Sequence, residues 1–240
     1  MPPVRGTEGR VDVWRADLAA VGDELEDLLC AEELARAARI VRERERVLWA
    51  RARGVRRALL GRYLGRDPRT LEFVLGPHGK PALLRGGWEP GPDAAAAGAA
   101  GPDLRFNLSH SGTLALYAVT VGREVGVDIE CARERYTAGF LRAWVAREAA
   151  VKCRGSGLAV PLEGSLLQDD LWSTQLDVGR QASAAVSVEG GRCALAFRDY
   201  APPARDASSA LAAKAPPGKP HSALPPPHSA LPPSLPPSQM

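Results

Sequence analysis

The stretch VGVDIE, residues 125–130, predicts a strand whose two faces differ in chemistry. Its β-branched residues fall on one face and suit burial, while Asp128 and Glu130 share the other, because side chains alternate along a strand. Two carboxylates this close repel each other unless a cation lies between them, and hard oxygen ligands suit magnesium. Two solvated acids at a strand end are the alternative, and the pair alone does not decide between them.

A second constellation lies on a helix predicted from about residue 138 to 153. Trp144, Glu148 and Lys152 recur four residues apart and therefore share one face. Phe140 gives the same side an apolar start, so Glu148 is expected at the edge of a buried face, where a carboxylate needs a partner. A metal ion would serve. The alternative is a surface Glu–Lys pair, which contributes only about 0.3 kcal/mol.

Two turns farther upstream carry side chains suited to phosphate. The stretch FNLSHSG, residues 106–112, runs from a strand into a turn and places Ser109 and His110 beside a glycine. The stretch GKP, residues 79–81, presents Lys80 from a turn whose last φ is fixed by proline. Taken alone, each also fits an ordinary packed turn.

The rest of the chain alternates between helical and extended patterns. A helix is predicted from Glu32 to about Leu64, and Gly54 and Gly61 would permit a break in it. Thr137 is the expected N-cap of the later helix, and Gly155 and Gly157 are expected to stop it. Further strands are predicted at Val11–Trp14, Leu71–Leu75, Phe106–Ser109, Leu114–Val121, Leu171–Val178, Ala184–Val188 and Cys193–Arg198.

Two segments have a composition that does not support a core. Residues 86–102 are dominated by Gly, Ala and Pro, which predicts a flexible insertion. Residues 202–240 are rich in Pro, Ala and Ser and contain PHSALPP twice, which predicts a disordered tail. A ligand for a proline-binding domain, or metal binding through His221 and His228, are the alternatives for this tail.

Composition narrows the class of protein. The 240 residues are 45% apolar and 25% charged, with a net charge of +3, and arginines crowd residues 36–66. Such a local positive surface suits nucleic acid or a multiply phosphorylated small molecule. The four cysteines form no CxxC pair, which favours neither zinc nor a disulfide framework. No stretch has the length of a membrane span, so we expect a cytoplasmic protein that does not bind membranes.

In chain order, GKPAL, FNLSHSG, VGVDIE and WVAREAAVKCRGSGL resemble the motifs of one family. It is the surfactin-synthetase-activating (Sfp) type of 4′-phosphopantetheinyl transferase, and the resemblance covers about residues 32–200. It implies an α/β (α+β) fold of two similar halves in a pseudo-twofold arrangement, with coenzyme A bound between them. The expected divisions are residues 1–122, residues 123–201 and the tail, residues 202–240.

The resemblance also implies roles for single residues. Asp128, Glu130 and Glu148 match magnesium ligands, and Lys152 matches a lysine that contacts coenzyme A phosphate. The other matches to coenzyme A contacts are Lys80, Ser109 and His110, together with either Arg46 or Arg51 on the first long helix.

The reaction implied is holo-carrier-protein synthesis. A serine of an apo acyl or peptidyl carrier protein attacks the β-phosphate of coenzyme A, and 3′,5′-ADP leaves. Glu148 is the candidate base for the serine proton, and Lys152 would stabilise the leaving group. We expect a magnesium-dependent monomer that binds coenzyme A and a carrier but no nucleic acid.

Two departures from the family pattern bear on this expectation. Arg147 stands where relatives have lysine, which keeps the charge. Only thirteen residues, 131–143, separate Glu130 from Trp144, where relatives carry a longer segment that helps to receive the carrier. The alternatives are therefore a degenerate relative that binds coenzyme A without efficient catalysis and, from another class, a basic nucleic-acid-binding module.

Overall fold

A computed structural model of the chain describes residues 9–84, 103–134, 136–156 and 170–201. The segments called a flexible insertion and a disordered tail above lie outside these residues. The strands are β1 (Arg10–Asp17), β2 (Phe73–Leu75), β3 (Pro81–Leu83), β4 (Leu104–Ser111), β5 (Leu114–Val121), β6 (Val125–Cys131), β7 (Leu171–Leu176), β8 (Ala182–Glu189) and β9 (Ala194–Asp199). The helices are α1 (Ala31–Ala37), α2 (Glu43–Leu64) and α3 (Ala138–Arg154), with short 3₁₀ turns at Asp23–Leu28 and Pro68–Thr70.

The longer strands form two sheets. The first has the order β4-β5-β1-β9, antiparallel except for the parallel pair of β1 and β9. The second is antiparallel with the order β6-β8-β7. Strands β2 and β3 form a separate hairpin. The fold is therefore mixed α/β, which confirms the expected class.

Side-chain alternation along the strands builds the layers. Trp14 on β1 and Tyr117 on β5 pack with α2 residues such as Leu59 on one face of the first sheet. Val11 and its neighbours on the opposite face pack against the apolar face of β6 in the second sheet. Helix α3 covers the far side of the second sheet, where Val145 and Ala149 meet Ala185 of β8. The predicted burial of one face of β6 is confirmed.

The predicted helix from Glu32 to Leu64 is interrupted, but not at Gly54 or Gly61, the two positions where a break was permitted. The chain instead leaves the helix between α1 and α2, and both Gly54 and Gly61 lie inside α2. A Cβ at position 54 would stand 2.3 Å from the carbonyl oxygen of Leu25, so this glycine allows close packing on the preceding 3₁₀ turn.

Helix α3 begins and ends as predicted. Thr137 Oγ1 accepts a hydrogen bond from the Phe140 backbone N–H at 3.1 Å, and Gly155 caps the end with a φ of +65°. The predicted apolar start of the buried face is wrong at one position, because Phe140 is exposed and stacks between Tyr136 and Trp144. No helix in the described ranges is long and apolar enough to cross a bilayer.

Candidate active site

The backbone N–H groups on one edge of β6 donate hydrogen bonds to side chains of β4, a strand of the first sheet, and not to its backbone. Three alternate residues of β4 accept hydrogen bonds from three alternate backbone N–H groups of β6. The acceptor and donor residues are Asn107 with Val127 (3.0 Å), Ser109 with Ile129 (3.4 Å) and Ser111 with Cys131 (3.1 Å). This polar ladder fixes the register of β6 at the joint between the two sheets.

The same ladder holds the two carboxylates of β6. The hydroxyl of Ser109 donates to Asp128 Oδ1 at 2.8 Å, and that of Ser111 donates to Glu130 Oε2 at 2.9 Å. Lys152 of α3 reaches across and donates to Asp128 Oδ1 at 2.5 Å and to Ser109 Oγ at 3.0 Å. Asp128 is buried, yet its second oxygen, Oδ2, has no hydrogen-bond partner. The predicted sharing of one face by both acids is confirmed.

Glu148 approaches this cluster from α3, which lies close to β6. A Cβ at Gly126 would stand 2.0 Å from the carbonyl oxygen of Ala149, so glycine at 126 permits that approach. Glu148 is only 8% exposed, and its Oε1 has no hydrogen-bond partner. Burial raises the pKa of the Glu148 carboxyl, and the charge of Asp128 raises it further, against an opposing effect of Lys152.

The donors of this cluster fit a hard divalent cation. Asp128 Oδ2 and Glu148 Oε1 are buried oxygens without partners, and leaving such groups unpaired is costly. Among the residues the structure describes, no three His, Cys, Asp or Glu side chains already form a metal-holding group. Lys152 supplies the positive charge beside Asp128 in this state.

An arginine-rich cleft of about 790 Å³ opens between α1, α2 and the β2–β3 hairpin. Its aromatic residues are Trp49 and Phe73, and its arginines are Arg36, Arg53, Arg56, Arg57 and Arg69. The guanidinium of Arg53 stacks on Trp49 at 4.2 Å, while its Nη1 is buried without a hydrogen-bond partner. Desolvation lowers the pKa of Arg53 to about 10. A guanidinium in this condition favours an anionic ligand.

The two arginines named from sequence lie elsewhere. Arg46 pairs with Glu43 on the exposed side of α2. Arg51 donates to the Leu18 carbonyl oxygen at 2.9 Å and to Asp23 at 2.6 Å. Arg46 and Arg51 therefore both pair with acids of the chain itself, and Arg51 keeps a buried Nε without a hydrogen-bond partner.

The protonation of His110 responds to charges of both the cleft and the carboxylate cluster. Desolvation lowers the pKa of His110, and the charges of Arg53 and Lys152 lower it further. An imidazole that lies in the field of two cations favours an anion at the same place. His110 does not line the arginine-rich cleft, and the phosphate-binding roles of His110 and Lys152 stay predictions.

Comparison with known proteins bears directly on this arrangement. The 4′-phosphopantetheinyl transferase HetI of Nostoc sp. is 32% identical over 220 residues, which cover 75% of this chain and 88% of HetI. The chain belongs to the 4′-phosphopantetheinyl transferase family. A Synechocystis sp. protein that carries this name provisionally is 27% identical over 60% of the chain and 64% of its own length. The 4′-phosphopantetheinyl transferase AcpT of Salmonella typhi is 37% identical over 42% of the chain and 61% of AcpT. No protein-family model matches the chain.

For this member of the 4′-phosphopantetheinyl transferase family, sequence reasoning missed two features. The alternation of Asn107, Ser109 and Ser111 along a predicted strand signalled a polar face, yet only Ser109 was singled out. Arg53 was one of many arginines on α2, and no sequence signal separates it from Arg51. Its distinction comes from which acids the fold places beside each of them.

Lys80 is the remaining predicted contact. Its ammonium donates to Glu124 Oε2 at 2.7 Å, to the Val125 carbonyl oxygen at 3.0 Å and to the Cys153 carbonyl oxygen at 2.8 Å. Its three partners are thus all atoms of the chain itself.

Proposed function

We propose that this protein is a holo-carrier-protein synthase, which transfers 4′-phosphopantetheine from coenzyme A to a serine of an apo acyl or peptidyl carrier protein. The observation that carries the proposal is the pair of unpartnered buried oxygens, Asp128 Oδ2 and Glu148 Oε1, beside Lys152. A magnesium ion held by these carboxylates would, together with Lys152, attract the pyrophosphate of coenzyme A. The Sfp type and the two-halved organisation, with divisions near residues 122 and 201, belong to the same proposal.

The carboxylates and Lys152 have different proposed roles at the pyrophosphate. Asp128, Glu130 and Glu148 would hold magnesium, which when bound supplies positive charge against the oxygens of the pyrophosphate. Lys152 already reaches Asp128 and Ser109, so its ammonium is held at the edge of the cluster, where it would neutralise charge on the leaving group. The serines of the polar ladder keep Asp128 and Glu130 in place.

The bond changes are those of a single displacement. The carrier serine oxygen forms a bond to the β-phosphorus of coenzyme A, and the bond from that phosphorus to the bridging oxygen breaks. The bridging oxygen leaves on 3′,5′-ADP. Glu148 is the proposed acceptor of the serine proton.

The arginine-rich cleft is the proposed position of the nucleotide. Arg53 offers an unpartnered buried N–H, and Trp49 beneath it offers an aromatic face. The charges of Arg53 and Lys152 both act on His110. A phosphate beside His110 would therefore be attracted by Arg53, by Lys152 and by the imidazole itself. We therefore propose Arg53, rather than Arg46 or Arg51, as the arginine of α2 that contacts coenzyme A.

Carrier docking is proposed to be the weak step of the reaction. Six residues, 132–137, join β6 to α3, and an extended chain of that length reaches roughly 20 Å. That is enough to bring Glu148 back to Asp128, but it leaves no room for an additional helix. Inserting the longer segment of a relative should lower the KM for the carrier. Equal KM values for the chimera and the original protein would contradict this part of the proposal.

The deciding experiment incubates the protein with coenzyme A, magnesium and a panel of apo carriers. Mass spectrometry should show one added phosphopantetheine on the carrier serine and none with Glu148→Gln. Coenzyme A binding without transfer to any carrier would favour the degenerate relative. A steeply salt-dependent affinity for DNA without coenzyme A binding would favour the nucleic-acid module.

A further inference from the structure

Lys80 lies where three separate parts of the chain meet. It extends from the β2–β3 turn, which borders the arginine-rich cleft through Gly79 and Pro81. Its ammonium donates hydrogen bonds to the carbonyl oxygen of Val125, the first residue of β6, and to that of Cys153 in the last turn of α3. It also donates to Glu124, the residue just before β6. An ammonium group has three N–H donors, so these bonds use all of them.

The acceptors show what these bonds hold together. The Cys153 carbonyl oxygen belongs to the C-terminal turn of α3, where carbonyl groups lack intrahelical partners and a cation is favourable. That turn follows Glu148 and contains Lys152. The Val125 carbonyl oxygen opens the strand that carries Asp128 and Glu130. One side chain thus fixes the two elements of the carboxylate cluster to each other.

Two neighbouring features support a built contact. The stem of Lys80 passes close to the helix-capping glycine, since a Cβ at Gly155 would stand 3.3 Å from Lys80 Cδ. The second oxygen of Glu124 accepts a hydrogen bond from Arg105, which holds the carboxylate in place for Lys80. Lys80 is also largely buried, with 17% of its side chain exposed.

We propose that Lys80 is a positioning residue, which clamps the end of α3 to the start of β6 and sets the spacing of the carboxylate cluster, instead of contacting a phosphate of coenzyme A. This inference rests on the proposed function for its kinetic part only. It replaces the coenzyme A contact that the family resemblance implied for Lys80.

The test compares Lys80→Met, Lys80→Arg and the control Arg105→Met. The control removes a cation from the same Glu124 but touches neither α3 nor the backbone of β6. For Lys80→Met we expect kcat to fall about 10- to 100-fold, because misplacing a cluster by about 1 Å costs that much. The KM and Kd for coenzyme A should stay within about twofold, and the preference over dephospho-coenzyme A should persist. Lys80→Arg should lower kcat to a similar extent, because a planar guanidinium cannot reproduce the three hydrogen bonds of the ammonium.

Two results would overturn the clamp. A large rise in Kd for coenzyme A in Lys80→Met, restored by Lys80→Arg, would make Lys80 a phosphate ligand. A lower melting temperature with unchanged kcat would make the contact merely structural. If Lys80→Met does not fold, Glu124→Gln, which keeps the two carbonyl contacts, should show a smaller fall in kcat at unchanged KM, and an unchanged kcat there would overturn the clamp.

A readout without activity separates this inference from the proposed function. Hydrogen exchange in residues 151–155 and 125–127 should accelerate in Lys80→Met and not in Arg105→Met. If the unaltered protein modifies no carrier, the proposed function fails. The exchange measurement still tests the clamp, and equal protection in both variants would refute it.

Discussion

Two glutamates on helices, Glu33 and Glu148, are both largely buried but differ in the hydrogen-bond partners of their carboxylates. Glu33 accepts hydrogen bonds from Arg56, from Arg57 Nε at 2.6 Å and from the backbone N–H of Cys30 at 3.1 Å. Glu148 has an oxygen without any partner. A fully paired buried carboxylate stabilises a structure, whereas an unpaired one is costly and marks a place where a ligand is needed.

The arginines of the cleft repeat this contrast. Desolvation lowers the pKa of both Arg53 and Arg56 to about 10. Arg56 pairs with Glu33, lies 3.8 Å from the ring centre of Phe73 and has an unpartnered Nε, while Arg53 stacks on Trp49 and has an unpartnered Nη1. Asp128, which pairs with Lys152 through Oδ1, keeps its Oδ2 without a hydrogen-bond partner, and Glu148 and Arg53 each keep one such buried atom. Buried polar atoms without a hydrogen-bond partner also occur elsewhere, for example at Asp12 Oδ1 and Arg62 Nε, so the candidate site is marked by two carboxylate oxygens of this kind beside Lys152.

The largest expected effect comes from removing the unpaired carboxylate. Glu148→Gln should lower kcat about a thousandfold or more, since it takes away a proposed metal ligand and base worth several kcal/mol. The melting temperature in metal-free buffer at pH 7 should stay equal or rise, because burial raises the pKa of Glu148 and its ionised form therefore destabilises the fold. Single-turnover transfer and thermal melts measure the two effects. Near-normal turnover at limiting magnesium would contradict the assignment.

The paired carboxylate should behave in the opposite way. Glu33→Ala leaves Arg56 and Arg57 buried without their partner, with side-chain exposures of 8% and 2%. We expect a loss of about 3 kcal/mol in the free energy of unfolding, measured by chemical denaturation. Glu43→Ala, which breaks the exposed ion pair with Arg46, is the matched control and should leave the unfolding midpoint unchanged. Similar losses of unfolding free energy in both variants would mean that the buried pairing of Glu33 stabilises the fold no more than an exposed ion pair does.

Local patterns sufficed for the elements that carry the site. Alternation along residues 125–130 predicted the buried and polar faces of β6, and a threonine cap with a terminal glycine predicted the bounds of α3. Both signals involve neighbours in sequence, which is why a single sequence contains them. The placement of Glu148 at a buried face followed from its spacing to Trp144.

What sequence did not predict depends on distant partners. The break between α1 and α2 lets Glu33 meet Arg56, 23 residues later, whereas a continuous helix would separate them by about 35 Å. Helical periodicity runs through the break, and no glycine or proline marks it. For the same reason Arg53 could not be separated from Arg51, because Asp23 is placed beside Arg51 only by the fold.

The unpaired arginine gives the next largest effect. Arg53→Ala should weaken coenzyme A binding by about 1–3 kcal/mol, or roughly 5- to 150-fold, through loss of a charge-assisted hydrogen bond. Arg51→Ala should lower the melting temperature, because it removes the hydrogen bonds to the Leu18 carbonyl oxygen and to Asp23. It should leave the Kd for coenzyme A almost unchanged. Calorimetry with coenzyme A and dephospho-coenzyme A measures both. Loss of discrimination in Arg53→Ala would identify the 3′-phosphate as its partner, while an unchanged Kd would exclude Arg53 from the site.

The smallest expected effect concerns the proton on His110. Without ligand, desolvation and the cations Arg53 and Lys152 hold its pKa below the ordinary value of 6.5. Because the folded-state pKa is the lower one, His110 contributes stability above its unfolded pKa, and that contribution is lost as pH falls through the folded value. A bound phosphate would offset the two cations, so coenzyme A should raise the pKa of His110 and binding near pH 6.5 should take up protons. NMR titration of the ring with and without coenzyme A measures the pKa, and calorimetry in buffers of different ionisation enthalpy measures the proton uptake. His110→Gln should abolish that uptake while keeping a hydrogen-bond donor. A pKa that does not move at saturating coenzyme A would place the phosphate away from His110, and with it the proposed continuity between the arginine-rich cleft and the carboxylate cluster would fail.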